Sequence, residues 1–434
     1  MWASAIVKLS KVEKLYPDLM QIIESSDIIN TESCFLEGVF PVKSASAVIA
    51  ILRDHQEDHT LMPLMLRPLL FAPAATWLVR TLQDAGVERF LLITEAELAE
   101  EAAKSFPGGT QVCFADDPAV NDAVRAFAAG ERDEVICITE PVWLSRGGAQ
   151  LLTVLEQLPE PEEMPAGVRR ISAAKLAAEG DLTAGAPFAP EVDDVPLMLP
   201  LTDAESFDAA QYYGRLDQAE KLIEQGVRIL DPQNAYIDPT VTVGAGTVLL
   251  PGTILRGDTH IGQNCEIGPN TMIRDCTLGD GCVANSSQLN EAVFGANVNI
   301  GPFAYVRPGT RVADNAKVGD FVEVKNAVIG EGTKLPHLIY VGDSDVGAHC
   351  NFGCGSITCN YDGNKKYRTT VGDNVFIGCN TNLVAPVTVE DGAFTAAGST
   401  ITDTVPADAL AVARARQVHK PGWAAAHRAK KEQK

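Results

Sequence analysis

Residues 237–273 read IDPTVTVGAGTVLLPGTILRGDTHIGQNCEIGPNTMI, and every sixth position from Ile237 is aliphatic: Val243, Leu249, Leu255, Ile261, Ile267 and Ile273. A second in-phase run holds Ile300, Val306, Val312, Val318 and Val324, and a third holds Val371, Ile377, Leu383 and Val389. Glycine often follows the aliphatic residue, as at Gly244, Gly262, Gly268, Gly301, Gly319, Gly372 and Gly378. A period of six fits neither an α-helix nor the two-residue alternation of a simple strand. It fits the hexapeptide repeats of a parallel β-helix. Each hexad supplies one short face with its aliphatic residue pointing inward, and the glycine lets the chain turn the corner. Three hexads close one triangular coil, and coils stack about 4.8 Å apart. Such coils wind left-handed, against the usual crossover preference. A chance run of aliphatic residues in a β-sandwich is the competing explanation, and seven consecutive hits weigh against it. The phase slips near Asn285–Asn290, Ile329 and Gly355–Thr370, which predicts loops leaving the coil there.

Outward from the repeat, Ala204 to Gln225 reads as a connector helix with Phe207, Leu216, Ala219, Leu222 and Ile223 roughly on one stripe and Gly226 at its end. Further toward the N-terminus, strand and helix patterns alternate: Ala47–Leu52, Phe90–Thr94 and Val135–Thr139 as strands, Ala74–Gly86, Ala119–Ala129 and Arg146–Gln157 as helices. This β-α-β order predicts a parallel α/β sheet. Pro159–Pro200 is rich in Pro, Ala, Glu and Asp and predicts loops. The expected parts are an N-terminal extension (1–44), an α/β domain (45–203), the connector (204–229), the β-helix (230–416) and a basic tail (417–434). The tail's Arg428, Lys430, Lys431 and Lys434 either reach a neighbouring subunit or are solvated.

Composition limits the function. The 434 residues carry a formal net charge of −22, so nonspecific nucleic-acid binding is not expected. No run of eighteen apolar residues occurs, so no membrane span is expected. Met1–Met20 lacks the apolar stretch of a signal peptide. The ten cysteines have no scaffold-like spacing, and with no export signal they are expected to be reduced thiols in a cytoplasm. Cys350, Cys354 and Cys359 beside His349 do not form a CxxC pair, and on a coil their side chains should diverge, so no metal site is expected.

Polar and charged residues gather around the slips: Arg307, Lys325, His337, Tyr340, Asn351, Asn360, Tyr361 and Lys366. The segments Arg307-Pro-Gly-Thr310, Val322–Lys325, His337–Asp343, Thr358-Cys-Asn-Tyr-Asp-Gly363, Leu383-Val-Ala-Pro-Val387 and Gln417…Lys420-Pro-Gly-Trp423 resemble, in that order, the acetyltransferase half of the GlmU family. The resemblance runs from about Gln218 to Trp423. It implies acetyl transfer from acetyl-CoA to the amine of glucosamine 1-phosphate by a homotrimer with sites between subunits, on the way to UDP-N-acetylglucosamine and cell-wall precursors. His337 matches the general base that takes the amine proton, a task suited to a group titrating near neutrality. Arg307, Lys325, Tyr340 and Lys366 match phosphate ligands, and Asn351 and Asn360 match residues that hold the sugar and orient the site. Tyr361 matches another residue lining it. On the acetyl-CoA side, Cys354 matches the position whose N–H faces the thioester oxygen, and Cys379, Ala397 and Arg414 match further contacts, with Asn360 and Tyr361 bordering them. Cys354 stands where the family usually has Ala, and Cys379 where it often has Ser.

The same resemblance places a nucleotidyltransferase domain of Rossmann-like build in the N-terminal half, but its chemistry is eroded. Ala47–His55 keeps the strand and lacks the Gly-rich phosphate loop that should follow, and Asp54 would repel phosphate there. Arg67-Pro-Leu-Leu70 and Val87–Thr94 still resemble the family. Glu140 stands for the metal-binding Asp, Asp117–Asp122 for the uridine turn and Thr202-Asp203 for a second metal contact. The domain is also shorter than the family's by roughly a quarter. It is expected to be a degenerate nucleotidyltransferase without uridyltransferase activity, with Mg²⁺ needed only if some activity survives. Two alternatives stay open: acetylation of another amino sugar or amine, and a non-catalytic regulatory or scaffold trimer.

Overall fold

The computed structural model describes residues 45–53, 62–131, 133–154, 167–183, 186–187 and 196–432. The expected extension 1–44, Asp54 and much of the Pro-rich stretch lie outside them. By internal contacts the chain divides into two compact units: residues 1–221 with 237–240, and residues 222–236 with 241–434.

In the first unit a six-stranded sheet runs Gln111–Phe114, Arg89–Thr94, Ser46–Ile51, Glu134–Ile138, Val168–Ser172, Ala186–Pro187. The first four strands are parallel. Val168–Ser172 pairs antiparallel with both its neighbours, an addition the β-α-β reading did not contain. Ser46–Ile51 is apolar at nearly every position because both its faces are covered: Ala47, Ile49 and Ile51 enter one core with Trp77, Leu78 and Leu82 of helix Ala74–Asp84, while Val48 and Ala50 enter another with Val124 and Phe127 of helix Val120–Ala129. Helix Arg146–Val154 follows where a longer one was expected, its last expected residues falling outside the described set. The helix read as a connector, Ala204–Glu224, seats Ala210, Phe207 and Tyr213 against this unit's core. Ile223 is off the expected stripe, at 46% exposure, because it lies on the solvent side of the last turn.

In the second unit, strands of two to four residues stack into three parallel sheets of eleven, ten and nine strands. One sheet pairs Leu249 with Ile267, the next Leu255 with Ile273, the third Val243 with Ile261, so successive hexads occupy successive faces of one prism. The in-phase residues Leu249, Leu255, Ile267, Ile273, Val306, Val318 and Val324 are fully buried. Each removes an aliphatic side chain from water, worth about 1.5–3 kcal/mol apiece. Inward threonines meet their polar demand on the coil backbone, as Thr333 Oγ1 does by donating to the Gly347 carbonyl at 2.7 Å.

Two expectations about the repeat need correction. Most glycines after the aliphatic residue do not turn the corner with a left-handed backbone. Asparagine, aspartate and glycine elsewhere do that, with φ of +54° at Asn264 and +59° at Asn315. Gly319 is required for a different reason: a Cβ there would lie 1.8 Å from the Pro336 carbonyl oxygen of the next coil. Nor are all phase slips loops. Leu278 pairs with Phe294, sixteen positions on, and Ile329 with Val346, seventeen on, so the slips at Asn285–Asn290 and Ile329 are tightened coils. Only the third is an excursion: Val346 pairs with Val371, twenty-five positions on, where Val371 pairs with Val389 after eighteen. The extra residues leave the prism between Cys359 and Thr369.

Candidate active site

His337 closes the strand Lys334–His337, in register with Asp320 of the preceding coil. Its Nδ1 stands 3.7 Å from Asp320 Oδ1, and half of its side chain is open to solvent. The ladder Lys334–Asn351–Phe376–Phe394 continues from this strand. Three positions further along each rung lie His337, Cys354, Cys379 and Ala397. The backbone seals that alignment: Gly355 N–H donates to Leu338 O at 2.9 Å, Asn380 N–H to Cys354 O at 2.8 Å and Gly398 N–H to Cys379 O at 2.8 Å. At one strand spacing per coil, the column from His337 to Ala397 is about 14 Å long. Cys354 is half-buried and Cys379 exposed. Arg414 stands past the column's end, its Cδ 3.8 Å from where a Gly398 Cβ would sit.

One corner along the same coil, the next face carries a second group. Tyr340 lies on the strand Tyr340–Gly342, which pairs with Glu323–Lys325. Arg307 Nη1 donates to Glu323 Oε1 at 2.8 Å, and that contact raises its pKa further. Lys325 Nζ is 3.5 Å from Asp343 Oδ2. Lys366 arrives on the excursion loop beside Lys325. Contact with the Lys366 amine and the Asp343 carboxylate holds Lys325 above the ordinary lysine range, while Lys325 pushes Lys366 down. Asn360 Nδ2 donates to Asp343 Oδ2 and approaches Tyr340 Oη at 3.4 Å.

The structure thus brings together Arg307, Lys325, Tyr340, Asn360 and Lys366. It sets Asn351 apart, on the face carrying Lys334 and Phe376. Asn360 belongs with the cationic group and not with the Cys354–Ala397 column, because its amide is committed to Asp343 and Tyr340. Tyr361 turns its hydroxyl into its own loop, donating to Gly363 O at 2.6 Å. Cys350 points into the prism with its thiol pushed up by burial, while Cys354 lies on the corner, so these cysteines diverge. Among the described residues no three His, Cys, Asp or Glu side chains are grouped to hold a metal ion. Sequence reading passed over Asp343, whose near-total burial is not visible in the motif.

In the first unit, the carboxyl edge of the parallel strands is where open α/β sheets bind ligands. Here Arg53 N–H donates to Glu95 Oε1 at 2.9 Å, and its guanidinium pairs with Glu95 at 2.9 Å and Glu97 at 2.8 Å. Glu140 is exposed just past the strand Glu134–Ile138. Asp203 caps the next helix, accepting from Ser206 N–H at 2.9 Å. No helix among the described residues is long and apolar enough to cross a membrane.

The coil geometry and the ladder of small corner residues define a hexapeptide-repeat protein of left-handed parallel β-helix build. The family described as bacterial transferase hexapeptide (six repeats) matches residues 291–326 and 368–403. Over about half its length the chain is similar to bifunctional GlmU proteins. It is 56% identical over 204 residues to the bifunctional protein GlmU of Caldanaerobacter subterraneus subsp. tengcongensis, covering 47% of this chain and 45% of that one. It is 48% identical over 218 residues to the bifunctional protein GlmU of Clostridium kluyveri, covering 48% of each. The chain therefore spans about half the length of the curated relatives it matches. Among solved structures it is similar to the UDP-N-acetylglucosamine acyltransferase of Francisella novicida, with 14% identity and a TM-score of 0.26 over 43% of this chain and 66% of that one.

Proposed function

We propose that the protein transfers the acetyl group of acetyl-CoA to the 2-amino group of glucosamine 1-phosphate. The observation that carries this reading is the pairing of two groups around one corner of one coil. His337 heads a column of small residues, and three residues later Tyr340 opens a face bearing Arg307, Lys325 and Lys366. On a chain of net charge −22, such a cluster of cations suits an anionic ligand. The phosphate lies against Lys325, Lys366 and Arg307, with Tyr340 as a neutral donor. The amine then faces His337 Nε2, which accepts its proton as the nitrogen attacks the thioester carbonyl. Asp320 beside Nδ1 steadies the imidazolium that forms. Acetyl-CoA extends along Cys354, Cys379 and Ala397 toward Arg414, with the Cys354 N–H facing the developing oxyanion. Cys354 acts there through its backbone, so the departure from Ala is tolerated.

A homotrimer supports the same site. Phe303, Phe321 and Leu338, each more than half exposed, make an apolar ridge at the corner between the two groups, and Phe303 stacks on Phe321 at 5.3 Å. A neighbouring copy would cover the ridge and wall the site, bringing up groups such as Asn351 that one copy leaves apart. The first unit is read as a nucleotidyltransferase fold that has lost uridyltransferase activity, because Arg53 is bound by Glu95 and Glu97 where a triphosphate would need free donors. The protein would then act in the cytoplasm within UDP-N-acetylglucosamine synthesis, its product passing to a separate uridyltransferase, and would require no Mg²⁺.

Mass-spectrometric detection of N-acetylglucosamine 1-phosphate from the two substrates tests the acetyl transfer. Product formed from galactosamine 1-phosphate or free glucosamine, but not from glucosamine 1-phosphate, would move the assignment to another amino sugar. Formation of a UDP-sugar from UTP at an enzymatic rate would overturn the loss of uridyltransferase activity.

A further inference from the structure

We propose that Asp343 is the positioning residue of the anion-binding face, the buried carboxylate that holds Lys325, Asn360 and Tyr340 in place for the sugar phosphate. The proposal rests on the reading of that face given above. Asp343 is 5% exposed, yet it carries a charge in the middle of a cationic cluster. Both its oxygens are engaged. Oδ1 accepts from Asn326 Nδ2 at 2.6 Å, and Oδ2 accepts from Asn360 Nδ2 and pairs with Lys325 Nζ at 3.5 Å. Burial alone would raise its pKa. The donors from Asn326, Asn360 and Lys325 outweigh burial and bring it below the usual carboxylate range. Tyr340 is reached one step further on, through Asn360.

The backbone of Asp343 is equally committed. Its N–H donates to Lys325 O at 2.9 Å, and its carbonyl accepts from Thr369 N–H at 3.1 Å, where the excursion carrying Lys366 rejoins the prism. One residue therefore touches the coil that presents Lys325, the amide that steadies Tyr340 and the foot of the loop that delivers Lys366. An acceptor with two ionised oxygens is needed. An amide at this position would turn one NH₂ group toward Asn326 or toward Asn360 and Lys325, setting donor against donor. Asp343 sits in the left-handed region at φ +49°, which Asp and Asn both tolerate. Asp343→Asn therefore changes charge and hydrogen bonding without straining the chain.

The test compares wild type with Asp343→Asn in steady state and by titration of the lysine Nζ resonances with and without inorganic phosphate. We expect KM for glucosamine 1-phosphate to rise about tenfold or more, as suits loss of a charged hydrogen-bonding partner. kcat and KM for acetyl-CoA should change little. The Lys325 signal should titrate at lower pH and lose its response to phosphate. Asn326→Ala removes one donor and keeps the carboxylate, so a rise of about two- to fivefold in the same KM is expected. It serves as the second variant if Asp343→Asn does not fold. Unchanged KM with an unchanged Lys325 titration would overturn the proposal. So would a lowered melting temperature with both KM values moving together, the mark of a purely structural residue. If wild type turns over no glucosamine 1-phosphate, the acetyltransferase reading fails by itself. The phosphate response of Lys325 then still decides the role of Asp343, and an equal response in wild type and variant would overturn it.

Discussion

Gly342→Ala should separate the site from the scaffold. Gly342 lies between Tyr340 and Asp343, and a Cβ there would stand 2.3 Å from Tyr340 Oη and 2.9 Å from Asn360 Nδ2. Ordinary contact begins at 3.4 Å, so the tyrosine hydroxyl must withdraw by about 1 Å and the asparagine amide by less. All three obstructing atoms, Tyr340 Cζ at 2.6 Å among them, lie at side-chain ends, which move more cheaply than backbone. The backbone of Gly342 is not left-handed, so alanine brings no φ penalty and restricts the unfolded chain, a gain of about 0.4–1 kcal/mol. Against that stands the long Asn360–Tyr340 hydrogen bond, worth about 1 kcal/mol at most. The two effects nearly cancel, and the expected change in stability is within about 1 kcal/mol. Function should not be spared, because a misplacement of about 1 Å can cost on the order of a hundredfold in rate. Urea unfolding and thiol-release kinetics on the same preparation read both quantities. A kcat/KM for glucosamine 1-phosphate within threefold of wild type, or a stability lower by several kcal/mol, would refute this separation of site from scaffold.

Other perturbations probe other parts of the account. Phe352→Ala empties a fully buried position in the coil beside the column, and urea unfolding should show a loss of about 3–5 kcal/mol. Raising pH should weaken sugar-phosphate binding before the ordinary lysine range near 10.4 is reached, because Lys325 depresses Lys366 and its charge goes first. Lys366→Gln should raise KM at every pH and abolish that early further rise, because the Asp343 carboxylate still holds Lys325 up. Cys379→Ser replaces a weak hydrogen-bonding group with a stronger one on the exposed corner, and KM for acetyl-CoA should fall a few-fold. Saturating acetyl-CoA should also slow alkylation of Cys379 in the unmodified protein.

The six-residue period made the β-helix legible because inward positions tolerate only apolar or small residues, and Leu249, Leu255 and Ile267 declare that burial directly. The tightened coils were not legible. A deletion at a corner and an inserted loop both break phase, and only the pairing of Val346 with Val371 tells them apart. In the first unit the helices and central strands were readable from their apolar runs. The antiparallel strand Val168–Ser172 was not, since its half-buried Arg169, exposed Ser172 and buried Arg170 disguise it among loop residues. Arg170 is buried through its ion pair with Glu134 at 2.5 Å, a partner thirty-six positions away that no local pattern signals. At the site, His337, Lys325 and Tyr340 were named from their motif. The division into a column and a cationic face came from register, which places Cys354 and Cys379 along one edge and moves Asn360 to the other group.

The most direct test of the central claim is thiol release from acetyl-CoA in the presence of glucosamine 1-phosphate, measured for the natural protein and for His337→Ala. Turnover should depend on both substrates and fall by about two to four orders of magnitude in the variant, with the fold and assembly intact. Turnover that survives the substitution would remove His337 as the base, and no turnover by the intact natural protein would contradict the assignment itself.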